Sequence, residues 1–358
     1  MIIESLDLKD FRNYGELHLE FSPGVNVFFG DNAQGKTNIL EAVYVCATSR
    51  SHRGSKDREM IRFGADEAHL RMQIRRKDIP GRIDMHFHPG RSRGIAIGGI
   101  PIRKASELFG VIHVVCFSPE DLGIVKNGPA ERRRFLNMEL CQLDRGYVND
   151  LLSYNRILQQ RNQLLKDLYF HPELEDTLEV WDEQLVRSGR SIISERRSFV
   201  RDLNGIIQGI HRGLSGGRED LLLTYEPDTE EEDFADLLIR NRDTDKKMKT
   251  TMAGPHRDDV GFMVNDINIR KFGSQGQQRT AALSLKLSEI ELVKRKTGDS
   301  PVLLLDDVLS ELDSGRQENL LGILSGIQAF ITCTGLDDFV SHSFHIDRLF
   351  QVNGGKVS

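Results

Sequence analysis

"GDNAQGKT", Gly30 to Thr37, is the stretch on which the fold turns. Its spacing, G-x-x-x-x-G-K-[ST], is that of a phosphate-binding loop, in which glycines let the backbone turn tightly and aim N–H groups at phosphate oxygens. The pattern carries weight only between a strand and a helix, and both flanks comply. Before it, "VNVFFG" is a short apolar run bounded by turn residues, the signature of a strand buried on both faces. After it, "NILEAVYVCAT" has the apolar period of a helix whose N-terminus favours anions. A glycine-rich turn before a core helix is the plain alternative; strand, spacing and helix together argue against it. Lys36 is then the residue that reaches the β and γ phosphates, and Thr37 offers its hydroxyl to Mg²⁺. Gly30, Asp31, Asn32, Ala33, Gln34, Gly35 and Asn38 complete the predicted nucleoside triphosphate site.

Such a site needs a metal-holding carboxylate. "PVLLLDDV" (Pro301 to Val308) is a second apolar run of the doubly buried kind, and it ends in Asp306 and Asp307. In phosphate-loop enzymes a carboxylate at this place holds Mg²⁺, which makes Asp306 the candidate ligand. Asp307 is the candidate general base for the attacking water. Standing alone, the pair would be an ordinary turn start. A third stretch, "KFGSQGQQRT" (Lys271 to Thr280), opens a helix predicted over Gln277 to Lys294 with Ala282, Leu285 and Leu292 facing the core. Ser274 and Gly276 there allow either a serine N-cap or close backbone approach to a second anion.

Elsewhere the periods divide the chain. Leu17, Leu19 and Phe21 alternate with polar residues, as do Leu70, Met72, Ile74 and Ile83, Met85, Phe87, predicting antiparallel strands with one wet face. "HPGRSRG" (His88 to Gly94) reads as a hairpin loop. From about Glu131 the period turns helical, with one stripe through Leu151, Leu158, Leu165 and Leu168. A second runs through Leu178, Trp181, Leu185, Ile192, Phe199, Leu203 and Ile210. Each stripe predicts one or two helices of moderate length, and no long coiled coil. "EPDTEEEDFADL" (Glu226 to Leu237) is read as a solvated acidic face.

The expected architecture is therefore α/β: one sheet built from both ends of the chain, with a mainly helical lobe inserted. The lobes are expected at 1–119 with 300–358, and at 120–299, the latter carrying the Ser-Gly stretch. The 358 residues suffice for about two domains. A net charge of -6 requires any nucleic-acid partner to meet a local basic patch. Four scattered cysteines without a C-x-x-C pair predict neither a zinc site nor a disulfide framework. No apolar run of signal-peptide or membrane-span length is present in the sequence, and a cytoplasmic protein is expected.

Taken together, "LDLKDFRNY" (Leu6 to Tyr14), the phosphate loop, "SPEDLGIVKNGPAERRRFL" (Ser118 to Leu136), "GPHRDD" (Gly254 to Asp259), "GSQGQQR" and "LLLDDVLSELD" (Leu303 to Asp313) give the chain a resemblance along its whole length. It resembles the SMC-like branch of the ATP-binding-cassette ATPases, and within it the bacterial recombination mediators. The resemblance implies an ATPase head that forms a head-to-tail dimer, with Ser274, Gly276 and Gln277 capping the γ-phosphate held by the partner copy. Asp313 then touches the partner across the same interface. Arg12 and Asn13 belong to the family's N-terminal segment, where Arg12 is either a phosphate contact or a surface charge. Three departures stand out. Asp307 replaces the usual Glu, which implies slow turnover; Thr332 or Thr334 stands where many cassettes carry a histidine; Glu120 or Asp121 stands near the usual glutamine.

The resemblance further implies an ATP-dependent recombination mediator, weakly hydrolytic and stimulated by DNA. It would close on single- or double-stranded DNA at gaps and act with RecR and RecO to let RecA load, in repair, replication restart and the SOS response. Arg50, Arg53, Lys56 and Arg58 in "SRSHRGSKDREMIR" are the candidate DNA contacts, to phosphates more than to bases. A transporter ATPase subunit and a small-molecule kinase are the competing readings.

Overall fold

The computed structural model describes residues 1–324, 326–336 and 345–358. Strands β1 (Ile2–Phe11) and β2 (Tyr14–Glu20) come first, and β3 (Val25–Phe29) runs through the glycine-rich loop into helix α1 (Lys36–Thr48). The single turn α2 (Asp57–Met60) precedes β4 (Ala68–Arg76), β5 (Ile79–Phe87), β6 (Gly94–Ile97), β7 (Ile100–Pro101) and β8 (Val114–Phe117). Helices α3 (Leu122–Lys126), α4 (Pro129–Leu143), α5 (Arg145–Asp167) and α6 (Leu178–Leu214) follow, then β9 (Leu221–Glu226) and α7 (Phe234–Met248). Next come β10 (Asp259–Val264), β11 (Ile267–Asn268), α8 (Ile269–Phe272) and α9 (Gln275–Thr297). The chain closes with β12 (Val302–Asp306), α10 (Ser314–Ile323), β13 (Ala329–Cys333), β14 (Arg348–Asn353) and β15 (Lys356–Val357).

Two compact units result: Met1–Asp121 with Lys286–Ser358, and Leu122–Leu285. The first division lies two residues beyond the expected one. The second falls inside α9 and not at residue 299, because the helix that starts with the Ser-Gly stretch continues into the first unit.

In the first unit an antiparallel sheet, β2-β1-β4-β5-β6-β7, and a largely parallel one, β15-β14-β3-β13-β12-β8, enclose α1. The antiparallel sheet follows the period-two pattern. Leu70 pairs with Met85 and Met72 with Ile83, and all four side chains are buried beneath a polar outer face. The parallel sheet joins both ends of the chain, with β3 between β13 and β14 and β12 between β13 and β8. Its strands need no alternation because both faces are covered. All of α1 from Ile39 to Thr48 is buried, which is why its apolar residues run round the helix instead of keeping to one stripe.

The second unit departs from the expected short helices. The second stripe belongs to one helix of 37 residues, α6, roughly 55 Å long at about 1.5 Å per residue. Leu178, Leu185, Ile192, Phe199 and Leu203 of that stripe are buried, while Trp181 and Ile210 are half-buried. On α5 the buried side is Tyr147, Val148, Tyr154, Ile157, Arg161 and Leu165, and Leu151 and Leu158 lie at its margin. An apolar count cannot see this, since the centre of the stripe is an arginine. Arg161 is fully buried and donates to Asp182, Asp245 and Thr251 at 2.7, 2.7 and 2.8 Å. Strands β9 to β11 form a small antiparallel sheet in the same unit.

Candidate nucleotide-binding site

The loop between β3 and α1 is built for glycine at two points. Gly30 has φ +148°, and a Cβ there would lie 2.3 Å from the Val352 carbonyl oxygen. Gly35 caps α1 at φ +115°, and a Cβ would meet Asn13 Nδ2 at 2.5 Å. Neighbours hold the loop from outside. Asn13 Nδ2 donates to Gln34 O at 3.0 Å, Tyr14 Oη to Gly35 O at 3.0 Å, and Gly354 N to Gln34 Oε1 at 2.6 Å. Asn38 Nδ2 donates to Asn13 Oδ1 at 2.8 Å, so the N-terminal segment is fastened to α1 as well.

Lys36 Nζ donates to Gly30 O at 2.6 Å and Asp31 O at 2.8 Å. The ammonium is thus held over its own loop, on carbonyls that phosphate oxygens would outcompete through charge. Thr37 Oγ1 donates to Asp306 Oδ1 at 2.8 Å, joining the start of α1 to the end of β12. Thr332, at the end of β13, donates to the same oxygen at 2.8 Å, and its hydroxyl also accepts from Asp307 N at 2.9 Å. His52 lies within 3.7 Å of the other Asp306 oxygen.

Electrostatics separate the two aspartates. Burial pushes the Asp306 carboxyl up, but the nearby His52 and the hydrogen bonds from Thr37 and Thr332 outweigh it and hold the group below its ordinary value. Asp307 moves the other way. Burial and the Asp306 charge raise it, against the pull of Lys36. Its backbone sits at φ +55°, the left-handed region that Asp tolerates at modest strain. An ionised, hydroxyl-bonded carboxylate beside a raised, half-buried one is the division expected of a metal ligand and a base.

The structure sorts the remaining sequence candidates. Arg12 lines the cleft that holds Lys36 and Thr37, but its hydrogen bonds go elsewhere than the loop. It donates to both Glu41 oxygens at 2.7 Å, to Glu59 O at 2.6 Å and to Ser55 Oγ at 2.6 Å, so here it is a brace between α1 and the basic segment. Arg53 and Arg58 line the same cleft of about 1050 Å³ as Lys36, Thr37 and Asp307, whereas Arg50 and Lys56 are exposed outside that lining. Asp121 accepts from Ser118 N at 2.7 Å, and burial raises its carboxyl; Glu120 is exposed. Of the two threonines, Thr332 is the one on Asp306.

Ser274 and Gln277 cap α9 reciprocally. Gln277 N donates to Ser274 Oγ at 3.2 Å, and Ser274 N donates to Gln277 Oε1 at 3.0 Å. Ser274, Gln275 and Gly276 are exposed. A Cβ on Gly276 would meet only Ser274 Oγ, at 3.8 Å. Asp313 caps α10, accepting from Arg316 N at 3.0 Å, and is also exposed.

Sequence reading missed Glu41, Ser51 and His52. Glu41 is a fully buried acid within the run Ile39 to Ala47, which carries no other charge, and Ser51 Oγ donates to it at 2.5 Å. That lone charge on the core side of α1 was the available signal.

An AAA domain family model matches residues 5–291. The chain is 57% identical to the DNA replication and repair protein RecF of Agathobacter rectalis, over 100% of this chain and 99% of that protein. It belongs to the RecF family. A second relative, from Lachnoclostridium phytofermentans, is 55% identical over the same shares. A solved structure of the recombination mediator protein RecF with ATP superposes with a TM-score of 0.94 at 36% identity, covering 99% of this chain and 96% of that one. An Smc head domain from Pyrococcus furiosus, 16% identical with a TM-score of 0.58, shares the fold.

Proposed function

We propose that this RecF-family chain is an ATP-dependent, DNA-binding recombination mediator whose nucleotide is enclosed by two copies. The observation that carries the reading is a division of labour. The phosphate loop and Asp306 are braced and complete within one copy, while Ser274 is exposed beyond its role as a helix cap and the smallness of exposed Gly276 answers no need of its own chain.

Lys36 exchanges the Gly30 and Asp31 carbonyls for the β and γ phosphates of ATP. Thr37 Oγ1 and Asp306 would hold Mg²⁺, which neutralises developing charge on the phosphates. Asp307 accepts the proton of the attacking water. Its side chain is one methylene shorter than the usual Glu, which favours slow hydrolysis and a switch in place of a motor. Ser274, Gly276 and Gln277 of the second copy cap the γ-phosphate, and Asp313 lies along the shared interface.

Arg50, Arg53, Lys56 and Arg58, doubled by the two-fold axis, present enough local positive potential for DNA backbone despite the negative net charge. On this reading ATP closes the dimer on DNA at single-strand gaps in the cytoplasm, and hydrolysis opens it. RecR and RecO then act with it to bring RecA onto the strand. A transporter subunit is not favoured, and no helix among the described residues is long and apolar enough to cross a membrane. Sedimentation velocity with and without ATP and a gapped duplex tests the reading. A dimer that forms only with ATP supports it; a monomer at saturating ATP overturns it.

A further inference from the structure

The outer face of the antiparallel sheet carries two histidines directly opposite one another. His69 on β4 pairs in register with His86 on β5, and their rings stack with centroids 4.1 Å apart at 16°. Glu67, two residues before His69, reaches both. Its carboxylate oxygens lie 3.1 Å from His69 Nε2 and 2.9 Å from His86 Nε2. The three ligand atoms fall within 4.8 Å of one another.

We propose that Glu67, His69 and His86 form a binding site for a divalent transition-metal ion of the zinc class, separate from the nucleotide site. Two imidazoles and one carboxylate are the donor set that selects Zn²⁺, Co²⁺ or Ni²⁺ over Mg²⁺ and Ca²⁺. Ligand bonds of about 2.0–2.1 Å in a tetrahedron place donor atoms roughly 3.3 Å apart. The two Glu67–imidazole separations, 2.9 and 3.1 Å and each to a different carboxylate oxygen, need only small expansion, and the whole donor set, within 4.8 Å, must draw in to that spacing. The stacked rings must splay, because the ion has to lie near the plane of each imidazole. Half-exposed side chains leave room for that rotation. The strands beneath do not move with them, since Ala68, Leu70, Met85 and Phe87 anchor both histidines from the buried face. Three protein ligands leave a fourth position for water.

The position has a structural consequence. Glu67 directly follows Ile61 to Asp66, which line the cleft beside the phosphate loop. An ion held by Glu67 and two sheet histidines fastens that lining to β4 and β5.

The test uses the untagged full-length chain, stripped with chelator and titrated with Co²⁺ in the absence of nucleotide. Bound metal is counted by equilibrium dialysis and read by visible absorption, with Zn²⁺ as competitor. One bound equivalent is expected, displaced by Zn²⁺, retained in Thr37→Ala, and lost in His69→Gln/His86→Gln. Glu67→Gln, which lies outside the strands, should weaken binding without touching the sheet. No bound cobalt in the wild-type chain overturns the proposal. So does an equivalent that survives in both the double variant and Glu67→Gln.

Discussion

Two glycine-bearing turns at helix starts behave in opposite ways. At the phosphate loop the chain itself demands glycine: Gly30 and Gly35 have positive φ, and any side chain would strike backbone or a neighbouring residue. At the opening of α9 it does not. Gly276 is exposed, a Cβ there meets almost nothing, and Ser274 is occupied with an ordinary cap. A residue whose smallness is unexplained by its own fold is most simply explained by something that approaches from outside. The contrast thus separates what one copy completes from what it offers.

The largest expected effect is on the self-sufficient side. Lys36→Ala removes the ammonium held over the loop. Charge-assisted hydrogen bonds are worth about 1.5–3 kcal/mol each, so ATP affinity should fall roughly 10- to 100-fold with the thermal midpoint little changed. Titration with a fluorescent ATP analogue measures it; unaltered affinity would break the assignment of this loop. Next is Gly30→Ala, which forces a methyl against the Val352 carbonyl from a left-handed backbone. A loss of about 2–4 kcal/mol is expected in denaturant unfolding.

Much of this was legible beforehand because it rests on local chemistry. Phosphate cradles need glycines at fixed spacing, and strands buried on both faces need short apolar runs, so Gly30 to Thr37 and Leu303 to Asp306 could be placed by pattern. What escaped was long-range polar satisfaction. Arg161 lies in the middle of a helix face that an apolar count centres on leucines, and only its meeting with Asp182 and Asp245, far along the chain, makes it an interior residue. Arg12 is the same lesson at the site. Its sequence neighbourhood put it at the phosphate site, whose cleft it lines, but gave no sign that a buried Glu41 takes two of its parallel donors. The length of α6 was underestimated because nothing in a stripe says whether one helix carries it or two.

The offered side of the comparison sharpens with Ser274→Arg and Gly276→Ala. Ser274→Arg forfeits the cap at about 1 kcal/mol. ATP binding should persist while the ATP-dependent dimer is lost, read by sedimentation velocity. If ATP binding falls and the dimer survives, the motif serves its own copy and the contrast fails. Gly276→Ala should leave the single copy as stable or up to about 1 kcal/mol more stable, since alanine is the better helix former. Its cost should appear only in dimer formation, the reverse of Gly30→Ala.

The smallest effect concerns the paired aspartates, and it distinguishes a base under strain from a plain turn residue. The Asp307 carboxyl is raised in the fold by burial and by the Asp306 charge. A raised acid favours the folded state in its protonated form, a contribution present below the ordinary carboxylate value and lost as pH climbs through the raised one. At neutral pH the ionised Asp307 is therefore a mild burden, discounted by its partial exposure to solvent. Asp306 is lowered, so its contribution stands at neutral pH and fades only as pH falls below the ordinary carboxylate range. Asp307→Asn should then unfold at slightly higher temperature than the wild-type chain near neutrality, with the two curves converging in acid. Asp306→Asn should be less stable near neutrality and converge in acid from below. Hydrolysis should be lost in both. A destabilised Asp307→Asn at neutral pH would mean that the carboxylate is needed for folding, and the reading of its left-handed backbone as strain retained for chemistry would fall with it.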